Sequence, residues 1–138
     1  MSAEVELTVA THHPREIIDL TEDLATRVTG LADGAVLVSA PHTTVALFVS
    51  ELDEDLRDDY LKIADLLFEG ARPFSHRKMN NPNTEAHALS AMFGTSVTVP
   101  VAGGRLRLGT YQRIILFELD GPKERTVRVT RLAGMTEL

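Results

Sequence analysis

There is no cysteine among the 138 residues. That excludes disulfides, cysteine-ligated zinc and thiol nucleophiles. No apolar run approaches the ~20 residues that a membrane-spanning helix needs. The first residues show no basic region leading into an apolar stretch, so no secretory signal is expected and the cytoplasm is the default location. Positive charge is not in excess either: the net charge is −6 and the isoelectric point is near 5.3. Such a balance argues against non-specific binding to nucleic acid or to an anionic membrane. Internal repeats, low-complexity tracts and a phosphate-binding loop are also missing. The stretch Gly103-Gly104-Arg105-Leu106-Arg107-Leu108-Gly109 lacks the Gly-x-x-x-x-Gly-Lys spacing and lies between strands rather than before a helix.

What remains is an ordinary globular composition, 43% hydrophobic and 25% charged. One domain over residues 1–138 is expected, with a real core. Val5, Leu7 and Val9 alternate with polar residues, the period of a strand. A second strand is expected over 15–20, then a helix carrying Leu24, Val28 and Leu31 with Thr21 as its N-cap. Strands at 35–39 and 45–49 flank Pro41-His42. Leu56, Tyr60, Ile63 and Leu67 fall on one helical stripe that Gly70 ends. A long loop over 71–83 and a short helix from Asn83 or Thr84 to Phe93 follow. The last third reads as strands at 96–101, 105–108, 113–119 and 126–132. Strands segregated from a few helices give α+β with mostly antiparallel pairing. Ile114-Ile115-Leu116-Phe117 places apolar side chains on both faces of one strand, which predicts a contact with another subunit.

Of the five histidines, His42, His76 and His87 are the candidates for chemistry. An imidazole binds a metal or moves a proton near neutral pH. His42 breaks two apolar runs, His76 follows Pro-Phe-Ser, and His87 sits in the first turn of the short helix, where the helix dipole favours a neutral ring. For each alone the plainer alternative stands: a packed histidine for His42, a surface one for His76, a solvated helix residue for His87. Three imidazoles without a thiol suit zinc with an open fourth position. In the acidic run Glu51, Asp53, Glu54, Asp55, Asp58, Asp59, the pairing of Asp53 with Asp58 or Asp59 offers magnesium as the alternative, although a solvated helix face accounts for most of the run. His12 and His13 read as surface residues of a turn, and Arg105 binds an anion only if it points into a cleft.

Taken in order, these residues resemble the YjbQ family of small bacterial and archaeal proteins. The matching pieces are Pro41-His42-Thr43-Thr44-Val45-Ala46, Glu51, His76, His87, Gly94-Thr95-Ser96, Pro100-Val101, Gly104-Arg105-Leu106, Gly109-Thr110-Tyr111-Gln112, Glu118-Leu119-Asp120-Gly121-Pro122 and Arg125. Three positions depart from the usual pattern: Ser50 where the family has Asn, Tyr111 where it has Trp, and the basic loop Arg77-Lys78-Met79-Asn80-Asn81. The resemblance implies an α+β β-sandwich or pseudo-barrel capped by helices, assembled as a homotrimer. It implies that the three histidines approach one another near a subunit boundary. It also implies a weak thiamine phosphate synthase activity, which joins a pyrimidine pyrophosphate to a thiazole phosphate and releases pyrophosphate. The expected enzyme therefore acts on small phosphorylated or heterocyclic substrates. Its metal ligands would be His42, His76 and His87, and its catalytic residues Glu51, Arg105 and Gln112. A metal-dependent hydrolase and a non-catalytic metal- or metabolite-binding trimer are the alternatives.

Overall fold

The computed structural model describes residues 3–76 and 82–132. The basic loop after His76 lies outside them. In chain order the elements are β1 (Glu4–Ala10), β2 (Glu16–Asp19), α1 (Thr21–Arg27), β3 (Gly34–Ser39), β4 (Val45–Ser50) and α2 (Glu54–Leu66). A 3-10 turn at Glu69–Ala71 precedes α3 (Thr84–Phe93), β5 (Ser96–Ala102), β6 (Arg105–Leu106), β7 (Arg113–Glu118) and β8 (Glu124–Leu132). One sheet has the order β1-β8-β3-β5-β6 and the other β2-β7-β4, and every pairing is antiparallel.

The alternation in the strands builds three layers. Leu7, Val36, Val38, Val99, Val101, Val127 and Val129 of the large sheet meet Val45, Leu47, Ile114 and Leu116 of the small one. Leu24 of α1 and Val28, just beyond its end, close that core. The other face of the small sheet presents Ile17, Ala46, Ile115 and Phe117 to Ala64 of α2 and Ala86 and Leu89 of α3. The fold is thus an α+β sandwich capped by helices on one side.

Several local expectations change. Strand β7 is buried on both faces within the chain, so its apolar run leaves no face for another subunit. Thr21 is not the N-cap of α1; Leu20 takes that place. The Thr21 hydroxyl instead accepts the Ile114 amide at 2.9 Å, tying the helix start to β7. Helix α1 stops at Arg27, with Val28 as C-cap and Leu31 beyond it. Gly70 does not end α2, which closes at Leu66; it lies within the 3-10 turn. The α2 stripe is rotated as well. Ala64 is its buried residue, whereas Ile63 and Leu67 are 51% and 47% exposed. Asp53 caps this helix through its carboxylate, which accepts the Leu56 amide at 2.7 Å.

Candidate functional site

The segment between β3 and β4 carries His42, and its conformation is set by charge buried beneath it. On β7, Glu118 shares the inward face with Ile114 and Leu116. On β8, Arg125 shares the inward face with Val127 and Val129. The two ends meet as a buried ion pair: Arg125 donates to both Glu118 oxygens, at 2.8 and 2.5 Å. The same guanidinium donates to the Thr44 hydroxyl at 2.8 Å and to the Thr44 carbonyl at 3.2 Å. Thr11 and the amides of Leu119 and Asp120 occupy the remaining lone pairs of Glu118. Burial pushes the Glu118 carboxyl up, but the bonds from Arg125, Thr11 and the Asp120 amide outweigh it and hold it below the usual range. The network fixes Thr44, and through it the His42-Thr43 backbone.

His42 Nε2 accepts the Thr126 amide at 2.9 Å, so a neutral His42 ring carries its proton on Nδ1. Burial and then the Arg125 charge lower its pKa below the ordinary 6.5, more than Glu118 raises it. His87 Nδ1 lies 3.1 Å from the Thr43 carbonyl. A carbonyl only accepts, so Nδ1 is the protonated nitrogen and Nε2 keeps its lone pair. This arrangement, one ring nitrogen tied to a backbone carbonyl and the other free, suits a proton acceptor or a ligand. His76 stands against His87 with ring centroids 5.2 Å apart at 80°. His42, Thr43, His87, Ser90, Ala91, Gly94 and Thr95 line an open cleft of ≈ 420 Å³.

The lowered His42 pKa has a consequence for stability. The folded ring holds its proton less tightly than the unfolded one. As pH falls through 6.5 the unfolded chain takes up more proton, and stability drops; above that value the group contributes nothing. Denaturant unfolding at a series of pH values is expected to show this decline, and His42→Gln is expected to flatten it.

His76 and His87 come together, and His42 shares the cleft with His87. Among the described residues, however, no three histidine or carboxylate side chains gather as a metal-binding group. His42 cannot join such a group through Nε2 while Thr126 holds that atom. Glu51, Arg105 and Gln112 are elsewhere in the chain. Val45 pairs with Glu118 at the histidine end of the small sheet and Ser50 with Arg113 at the other. Glu51 therefore lies about 20 Å from that end, at ~3.3 Å per residue. Gln112, which precedes Arg113, is at the same far end, and its side chain accepts the Gly109 amide at 2.8 Å. In the large sheet Ser39 pairs with Ser96 near His42, whereas Arg105 pairs with Ala102 six residues further on. Arg105 is exposed.

Sequence reasoning assigned no role to the Glu118–Arg125 pair, to Ser90 or to Thr95. The pair had a signal: a carboxylate and a guanidinium in step with inward-facing aliphatic residues.

Comparison with known proteins bears on this geometry. The profile described as UPF0047 protein YjbQ-like matches residues 5–134. The chain belongs to the YjbQ-like UPF0047 family. A UPF0047 protein of Archaeoglobus fulgidus is 41% identical over 128 residues, 93% of this chain and 100% of the relative. The UPF0047 protein YugU of Bacillus subtilis is 38% identical over 126 residues, 87% of this chain and 92% of the relative. Among solved structures, a YbjQ-like protein of unknown function from Sulfolobus solfataricus aligns with a TM-score of 0.85 and 31% identity, covering 91% of this chain and 93% of that one. A hypothetical protein from Aeropyrum pernix aligns at 0.83 with 36% identity, covering 95% and 98%. The sandwich and its helical cap are thus the family fold. Among the described residues no helix is long and apolar enough to cross a membrane.

Proposed function

We propose that the chain is a small-molecule enzyme that works on a phosphorylated or heterocyclic substrate in the His42–His87 cleft. One observation carries this reading: His87 is anchored through Nδ1 to the Thr43 carbonyl on a cleft wall, and its Nε2 has no hydrogen-bond partner among the described residues. That is the arrangement of a general base, or of an acid once protonated. Thr43, Ser90 and Thr95 add hydroxyl-bearing side chains to the cleft lining, which favours a polar ligand. Thiamine phosphate synthesis is the named instance, in which a proton must be managed as pyrophosphate departs.

A zinc ion held by all three histidines does not fit one chain, because the His42 Nε2 lone pair is taken by the Thr126 amide. His76 and His87 supply two ligands, fewer than a closed zinc site uses. When bound, such an ion would supply Lewis acidity. Zinc added to protein purified without a tag is expected to dialyse away; stoichiometric zinc that survives dialysis would mean that a third ligand reaches the pair. Magnesium has less support, since among the described residues no carboxylate lines the cleft.

Glu51, Arg105 and Gln112 act on this cleft only from a neighbouring copy. The proposed homotrimer supplies that arrangement if the histidine end of one copy meets the Glu51–Gln112 end of the next, a head-to-tail contact that closes as a ring. Mixing tests it. Purified His87→Ala and Gln112→Ala proteins, each assayed for thiamine phosphate from the two phosphorylated precursors, are expected to be weak separately. Unfolded and refolded together, they are expected to regain activity. If the mixture is no better than its components, the shared-site reading fails.

A further inference from the structure

On the opposite side of α3 from the histidine cleft lies a second hollow, of different chemistry. Phe48 and Phe117 of the small sheet, Ala64 of α2 and Leu89 of α3 line a cavity of ≈ 240 Å³, rimmed by Ile63, Leu67 and Phe93. Its aromatic rings stand at angles to one another. Phe48 meets Tyr60 edge-on, at 6.1 Å and 87°, and is tilted toward Phe93 at 5.8 Å and 47°. An apolar cavity of about 150 Å³ holds a benzene ring, so this one has room for two fused rings. Among the described residues no charged side chain lines it, which disfavours an ionised ligand.

Its one polar feature has a definite sense. The Ser50 hydroxyl donates its single hydrogen to the Glu51 carbonyl at 2.9 Å. Ser50 Oγ and the Tyr60 hydroxyl are 2.5 Å apart. Ser50 has no second hydrogen, so Tyr60 is the donor between them. The Tyr60 oxygen is left with lone pairs and no hydrogen to give. A ligand that satisfies it must donate.

We propose that this cavity is a binding site for a small, uncharged, planar aromatic heterocycle carrying one N–H donor, with Tyr60 as the acceptor. Packing between the rings of Phe48, Phe93 and Phe117 supplies most of the affinity, and the Tyr60 oxygen supplies the discrimination. The site is separate from the histidine cleft, because α3 presents Leu89 and Phe93 to one and His87, Ser90 and Ala91 to the other.

The chain has no tryptophan, so indole excited at the red edge of its absorption reports on itself against a dark protein. Titration of protein into indole is expected to give a saturable blue shift, and 1-methylindole, which lacks the donor, is expected to bind about 3- to 10-fold more weakly. In Tyr60→Phe that preference is expected to vanish while 1-methylindole binding is unchanged. Leu89→Phe, which fills part of the cavity without adding an indole fluorophore, is expected to weaken binding of both. Three results would overturn the proposal: no saturable shift in the folded protein, an indole preference that survives in Tyr60→Phe, or a shift that appears only when Ile63→Glu has first dissociated an oligomer. The last would mean that a second copy occupies the groove.

Discussion

Arg125→Met is expected to lower the unfolding free energy by about 3–5 kcal/mol. Glu118 is fully buried, and Arg125 is the cation that meets it. Removing that cation leaves a carboxylate with no charge partner, a Thr44 hydroxyl without its guanidinium, and a Thr44 carbonyl that keeps only the Leu119 amide at 3.2 Å. The double variant Glu118→Leu/Arg125→Met is expected to recover most of the loss, since a buried ion pair replaced by apolar groups of similar size is often close to neutral. Denaturant unfolding of the three proteins checks both statements. A single variant within about 1 kcal/mol of the parent would mean that the pair is not buried as described. The two variants are also expected to differ in function. Even where the double variant is stable, it lacks the guanidinium that holds Thr44, so the Thr43 carbonyl addresses His87 less well.

The second large effect is catalytic. His87→Ala is expected to reduce turnover by at least about 100-fold, the usual contribution of a positioned acid or base. Stability is expected to change little, because the ring sits on the cleft wall rather than in either core. His12→Ala, in an exposed turn, is the control and is expected to be active. Turnover of thiamine phosphate precursors, with unfolding measured in parallel, separates loss of chemistry from loss of fold. An active His87→Ala protein would move the chemistry to another group.

Much of this was legible in the chain, for identifiable reasons. Period-two alternation located the strands because both sheets bury one face against the other, and β7 was legible as fully apolar because it, like β4, is covered twice. What the pattern did not reveal was the agent of the second covering. Side chains on both faces signal burial, but whether the cover is a helix of the same chain or another subunit depends on tertiary placement; here it is α2 and α3. Thr21 followed the rule for an N-cap, but the neighbouring β7 amide competed for its hydroxyl. The α2 stripe was correct in period and wrong in phase. Tyr60 props the helix above Phe48, and Ile63 and Leu67 are left at the rim of the hollow.

The candidate site shows the same division. His42, His76 and His87 were singled out because imidazole is chemically uncommon, and all three do lie at one end of the sandwich. Glu51 and Gln112 belong to the same set of motif residues, yet β4 runs away from that end toward Glu51 and β7 starts from the far end just after Gln112, so the strand rise puts both at the other end. Nearness in a list of motifs carries no information about which end of a strand a residue occupies. The Glu118–Arg125 pair was visible as two charges in phase with aliphatic residues, but their partnership depends on β7 and β8 lying in different sheets that face each other.

The central claim, that the cleft is a working imidazole site with His87 Nε2 free and its Nδ1 protonated, is tested most directly by nitrogen-15 spectroscopy of the histidine rings. Spectra are recorded at pH 7.5 with and without added pyrophosphate. The account predicts His42 and His87 both as Nδ1–H tautomers, with the His87 Nε2 resonance moving as pyrophosphate saturates and His12 and His13 unmoved. A His87 ring protonated on Nε2 in the free protein, or pyrophosphate that leaves His42 and His87 unchanged, would contradict it.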